Sequence, residues 1–225
     1  MNIILQHFDG ELGELETQSI ANIKKYAKLI GVDYHLMRGK PFDPDLKSFP
    51  IQKCHMISEE WDDYDNVVMA DIDVFVPKGQ TENVFDYPGL GMHNSTQDNL
   101  HRSLAARYPH MASVNHPYWA GIYKLDKLTR QKLRDQIDWN NKGWMKTFDN
   151  HYHYCDEGVM SVLATKARIP LKGAYLDSKW CQCSFLPNPE KAGMIHIRTK
   201  VTPTGPKRTK LENYKALVEK GIIEK

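Results

Sequence analysis

A chain of 225 residues, 41% apolar and 26% charged, is long enough to bury one sizeable core, so one domain, or one with an appendage, is expected. Its formal charge of +2 gives no drive toward nucleic acid or an anionic membrane, and no apolar run approaches the length of a membrane span. The four cysteines, Cys54, Cys155, Cys181 and Cys183, lack a paired CxxC framework and read as free thiols of a reducing compartment, which favours the cytoplasm.

The opening, MNIILQHFDGELGE, meets acid before any signal-like apolar stretch develops, and residues 2–8 read as a first strand. From Thr17 to Ile30 the positions Ile20, Ile23, Ala27 and Ile30 keep helical spacing, and Gly31 supplies the stop. Residues 32–37 resemble a second strand. Such a β-α-β opening, with a crossover long enough to reach a parallel neighbour, predicts an α/β layered fold. After the proline-punctuated loop 41–50, residues 51–63 read as a helix carrying Lys53.

Val67-Val68-Met69-Ala70 has the length and β-branched character of a strand buried on both faces. Asp71-Ile72-Asp73 follows, then Val74-Phe75-Val76 restores the apolar character. In an extended segment the two carboxylates would point the same way with Ile72 pointing back. Like charges side by side between apolar runs are costly unless a positive group compensates them, and a divalent cation does so best. Open α/β sheets also bind ligands at the carboxyl ends of their strands. The plainer alternative is a strand-ending turn with two solvated acids.

Beyond it, residues 94–117 are polar and irregular, a long surface excursion of the kind that binds a ligand or closes over a site. Residues 118–125 read as a strand, Asp126 as the cap of a helix over 127–137, and 156–166 as a helix entered through two acids. Short strands are expected at 173–176 and 193–197. In the segment Met194-Ile-His-Ile-Arg-Thr-Lys200, alternation places His196, Arg198 and Lys200 on one face. One imidazole and two cations there suit a ligand that is both metal-bound and anionic; a wet edge strand is the plain alternative. The tail KRTKLENYKALVEKGIIEK forms a helix with Leu211, Tyr214, Val218 and Ile222 on one stripe, docked or leading to a further domain.

Together these landmarks resemble the GT-A glycosyltransferases, nucleotide-sugar-dependent enzymes with a DxD motif after a central strand. Lys53 precedes the motif by one helix, and Asp71-Ile72-Asp73 stands where the DxD belongs. Trp119-Ala120-Gly121-Ile122 is similar to the asparagine-alanine-glycine strand of retaining members, with tryptophan for asparagine. Asp156-Glu157-Gly158 is similar to their aspartate-glutamine-glycine helix start, with glutamate for glutamine, and His196 with Lys200 resembles the late histidine and the basic residue after it. The compact size and free cysteines are closest to the small glycosyltransferases with which large algal viruses decorate their capsids, which would place the protein in host cytoplasm.

The resemblance implies a mixed, mostly parallel sheet flanked by helices, with a catalytic domain over 1–206 whose nucleotide half ends near residue 80, and the tail helix over 207–225. It implies Mn²⁺ or Mg²⁺ held by Asp71, Asp73 and His196. His7, Phe8 and Asp9 would bind the base of the donor, a uridine diphosphate sugar, with Asp71, Lys53, Arg198 and Lys200 on its ribose and phosphates. Asp156 and Glu157 would be the catalytic carboxylates acting with retention, and the acceptor a glycan or glycoprotein.

Plain structural alternatives remain for Phe8, as core packing, and for Asp156 and Glu157, as acids favoured at a helix N-terminus. His151, His153 and Cys155 form a rival metal set lacking a fourth partner at recognisable spacing. A Mg²⁺-dependent nucleotidyltransferase also needs paired aspartates, but the loop Asp9-Gly10-Glu11-Leu12-Gly13-Glu14 has no cation for a triphosphate. A hydrolase phosphorylated on aspartate would need a DxD partner that Asp9 lacks. A catalytically inactive sugar-binding module is the alternative outside enzymes.

Overall fold

The computed structural model describes residues 1–87, 121–149, 155–169, 176–202 and 204–225. Its main sheet has the order β2-β1-β3-β5. The central strand β1 (Asn2–His7) pairs in parallel with β2 (Asp33–Met37) on one side and β3 (Asn66–Ala70) on the other. The fourth strand, β5 (Ile122–Asp126), runs antiparallel to β3. The sheet is therefore mixed and mostly parallel.

Strand pleating explains why β3 is apolar at every position from Val67 to Ala70. Val67 and Met69 pack into one core with Ile3 and Leu5, while Val68 and Ala70 join Ile4 in another on the opposite face. Helix α1 (Glu14–Leu29) covers the second face with Ile23, Tyr26 and Ala27. It ends where Gly31 takes φ +71° and Val32 N–H donates to Ala27 at 3.0 Å, turning the chain into β2.

The first face is covered by the 3₁₀ helix Pro50–Ile57, α2 (Lys127–Arg134), α3 (Gly143–Asp149) and α4 (Cys155–Lys166). Asp126 caps α2 as expected, accepting from Thr129 N–H at 2.7 Å. The expected α-helix over 51–63 is instead two 3₁₀ segments, the second at Glu59–Trp61. In the first, Ile51, Gln52, Lys53, Cys54, Met56 and Ile57 are all buried, so no amphipathic stripe exists to favour the α period.

A small second sheet, β4-β7-β6, sits beyond the carboxyl end of β3. Here β4 (Val74–Phe75) and β7 (Ile195–His196) are antiparallel, and β6 (Gln182–Cys183) runs parallel to β7. Helix α5 (Lys210–Glu219) packs on it through Tyr214 and Leu217 against Phe75, Ile195 and Ile197. No helix among the described residues is long and apolar enough to cross a membrane.

Candidate metal centre and donor cavity

β3 stops at Ala70, and Asp71 to Val74 form a turn in which Val74 N–H donates to the Asp71 carbonyl at 3.1 Å. The acids therefore converge through a turn, not through strand alternation. Both are pinned by their backbones. Asp71 N–H donates to Gly121 O at 3.0 Å, Gln6 Nε2 donates to Asp71 O at 3.1 Å, and Ile197 N–H donates to Asp73 O at 2.9 Å. Opposite them, pairing of β4 with β7 sets His196 beside Val74.

One ligand atom from each of Asp71, Asp73 and His196 lies within 4.8 Å of the others. His196 Nε2 is 3.2 Å from Asp73 Oδ1 and 3.6 Å from Asp71 Oδ2. Two carboxylates and one imidazole, nearly shut off from solvent, suit a cation that takes mixed oxygen and nitrogen ligands, such as Mn²⁺ or Mg²⁺. His196 Nδ1 is buried with no hydrogen-bond partner among the described residues, a departure from the usual outer support of a ligating histidine. The ring is held sterically instead. A Cβ on Gly121 would lie 2.8 Å from Nδ1 and 2.3 Å from Cys181 Sγ, so only glycine fits there.

Burial pushes the Asp73 carboxyl up, but His196 and Lys210 outweigh it and hold it well below the ordinary carboxylate range. Lys210 was not foreseen from the sequence. It stands at the start of α5, and its ammonium contacts Asp73 Oδ2.

Lys53, brought up by the 3₁₀ helix, sits 2.5 Å from Asp71 Oδ1 and 2.6 Å from Asp156 Oδ2. Burial works against its charge, yet the two carboxylates raise it well above the usual lysine value. Asp156 is pushed up by burial, with Asp71 adding to that and Lys53 opposing it. Asp156 and Glu157, both buried, open α4. Gly158 lets that turn approach α3, since a Cβ there would meet Phe148 at 2.2 Å.

A cavity of about 240 Å³ adjoins the acids, lined by His7, Phe8, Asp9, Lys53, Asp71, Asp73 and Lys210 among others. His7 Nε2 lies 2.8 Å from Gly39 O, and burial lowers its basicity. Arg198 and Lys200 do not line this cavity. β7 ends at His196, and the Lys200 ammonium lies 5.9 Å from the Phe185 ring centroid. Asp156 and Glu157 do not line the cavity either; Asp156 is joined to the lining by its contact with Lys53. Trp119 and Ala120 of the glycine strand, and His151 and His153 of the rival metal set, lie outside the described residues. A larger cavity of about 620 Å³, between α1 and residues 76–81, shares no residue with this site.

No protein-family model matches the chain, and no curated protein sequence matches it. Solved structures do. One is a glycosyltransferase involved in the glycosylation of the major capsid of PBCV-1, 14% identical with a TM-score of 0.55, the match covering 96% of this chain and 98% of that one. Another is an active-site glutamine-to-glutamate mutant of LgtC, 13% identical with a TM-score of 0.55, covering 98% and 96%. At such identities the likeness establishes the fold: the chain has the α/β architecture of GT-A glycosyltransferases.

Proposed function

We propose that the protein is a metal-dependent glycosyltransferase that moves a sugar from a uridine diphosphate donor to a glycan or glycoprotein acceptor, with retention of configuration. The observation that carries this reading is the convergence of Asp71, Asp73 and His196 at the edge of a cavity walled by the end of the first strand. On this fold, that edge is where a ligand meets the carboxyl ends of the strands.

Asp71, Asp73 and His196 would hold the cation, which when bound neutralises the charge gained by a departing diphosphate. Phe8 stacks on the base and Asp9 accepts a hydrogen bond from it, both facing the cavity. Lys53 fixes the Asp71 carboxylate while itself held by Asp156. Asp156 and Glu157, which open α4 beside Lys53, are the carboxylates we assign to the sugar side of the site, where a negative charge near the anomeric carbon stabilises an oxocarbenium-like state or attacks it. Among the described residues Lys53 and Lys210 line the cavity, and we assign the phosphates to them in place of Arg198 and Lys200.

Melting temperatures with a panel of nucleotides, with and without Mn²⁺, test this reading. Uridine diphosphate should protect the fold only, or far better, when the ion is present, and Asp73→Ala should abolish both that protection and sugar transfer while leaving the protein folded. Protection by a triphosphate with Mg²⁺ alone would favour a nucleotidyltransferase, and absence of slow donor hydrolysis would favour an inactive sugar-binding module. The anomeric configuration of the product, read by NMR, tests retention separately.

A further inference from the structure

The two oxygens of Asp73 are covered by two different residues from the last part of the chain. His196 Nε2 lies 3.2 Å from Oδ1, and the Lys210 ammonium contacts Oδ2. The two partners differ in freedom. The His196 side chain is 4% exposed and wedged against Gly121, whereas that of Lys210 is 42% exposed. Only its Cα is fixed, by a capping box in which Thr209 Oγ1 accepts from Glu212 N–H at 3.1 Å and Thr209 N–H donates to Glu212 Oε2 at 2.7 Å. A flexible stem on a rigid helix start lets the ammonium leave Asp73 without disturbing the fold. Its exit is the cavity that it already lines with Lys53 and Phe8.

We propose that Lys210 competes with the divalent cation for Asp73 and thereby couples ion binding to donor binding. This rests on the metal site proposed above. An ammonium on one oxygen of a carboxylate and a divalent ion on the same group repel each other at close range, so an entering ion works to displace Lys210 from Asp73. Expulsion without a new partner strands a positive charge beside the ion. With a diphosphate in the cavity the ammonium gains an anionic partner as it loses Asp73. The ion therefore binds more weakly to the protein alone than the bare ligand set would bind it, and a diphosphate removes that handicap. By reciprocity, the ion raises diphosphate affinity by the same factor. The device makes the free enzyme a poor metal binder and the donor-loaded enzyme a good one.

Calorimetric titration of Mn²⁺ into the wild type, Lys210→Met, Lys210→Arg and Asp73→Ala, each alone and with saturating uridine diphosphate, tests this. Lys210→Met keeps the stem and removes the charge. It should bind Mn²⁺ alone about ten-fold more tightly than the wild type, and the gain that the diphosphate confers should shrink by a similar factor. Lys210→Arg keeps the charge and should behave as the wild type. If Lys210→Met binds Mn²⁺ alone no more tightly than the wild type while Asp73→Ala loses the ion, the competition is refuted and the metal site stands. If Asp73→Ala binds Mn²⁺ as tightly as the wild type, the metal site itself is refuted and the competition with it.

Discussion

The ammonium of Lys53 lies 2.6 Å from Asp156 Oδ2, with the two side chains 9% and 5% exposed. The same ammonium touches Asp71 at 2.5 Å, so one cation stands between a buried acid and one that faces the cavity. This pair links three parts of the fold: the 3₁₀ helix, the turn after β3 and the start of α4. Lys53→Met would leave Asp156 buried without its partner, and breaking such a pair from one side costs about 3–5 kcal/mol. Lys53→Met combined with Asp156→Leu removes both charges and should recover most of that loss, a coupling that urea denaturation of the two single variants and the double variant would measure. Equal destabilisation in the double variant would mean that packing around the 3₁₀ helix, and not the ion pair, holds this junction.

Gly121 tests how far the metal site depends on steric support. Gly121→Ala sets a methyl group 2.3 Å from Cys181 Sγ and 2.8 Å from His196 Nδ1, so thiol and ring must both give way. Overpacking of this kind costs about 1–3 kcal/mol. Adding Cys181→Ala relieves the tighter clash and leaves the contact with the ring. The double variant should therefore regain thermal stability while its Mn²⁺ affinity stays low. Recovery of both together would show that the His196 ring has room to shift.

Much of this site was legible in the sequence because it is local. The apolar run Val67 to Ala70 followed by Asp71 and Asp73 marks a buried strand and its acidic end within a few residues. Even so, the geometry expected there was wrong in its cause: a turn closed by Val74 brings the acids together, not alternation. Beyond His196 the ladder is short: β7 is two residues long, Ile197 still packs with Ile195, but Arg198 and Lys200 are not among the residues lining the cavity. Lys210 left no local trace. It is 137 positions from Asp73 in a helix whose apolar stripe declares only packing, and tertiary docking of Tyr214 and Leu217 is what brings it to the acids. Likewise, the role of Lys53 as a spacer between two acids depends on α4 packing against the 3₁₀ helix, a relationship with no periodic signature.

Arg134 supplies a stability test away from the site. Its Nη2 donates to Asp62 Oδ2 at 2.9 Å and its Nη1 to Ile57 O at 3.0 Å, tying α2 to the end of the 3₁₀ helix. The hydrogen bond from Arg134 is the main cause holding Asp62 below its ordinary value of 3.8, against partial burial. A carboxyl lowered in the folded state stabilises the fold above its unfolded value, and that contribution is lost as pH falls below about 4 toward the folded value. The Asp62 side chain is 24% exposed, so screening keeps the effect to about 1 kcal/mol or less. Relative to Asp62→Asn at constant ionic strength, the wild type should be more stable at pH 6, and the gap should narrow as the pH is lowered from about 4 toward the acid limit of folding. A gap unchanged over that interval would rule out the charged pair as its source.

The ring of Tyr214 stacks on Phe75 with centroids 4.8 Å apart and planes 26° from parallel, two residues beyond Asp73. Both rings are buried, so this contact fixes α5, and with it the start of the helix that carries Lys210, against the acidic turn. The Tyr214 hydroxyl, in contrast, is buried with no hydrogen-bond partner among the described residues. Two substitutions at one position therefore separate packing from polarity. Tyr214→Ala deletes the ring and should cost about 3–5 kcal/mol, with weakened Mn²⁺ binding as the turn loosens. Tyr214→Phe keeps the ring and removes a hydroxyl whose burial is uncompensated, so it should match the wild type or exceed it by about 1 kcal/mol. Chemical denaturation of the three proteins decides the matter: a clear loss on Tyr214→Phe would mean that the hydroxyl is bonded in solution and that α5 is held by more than the stacked rings.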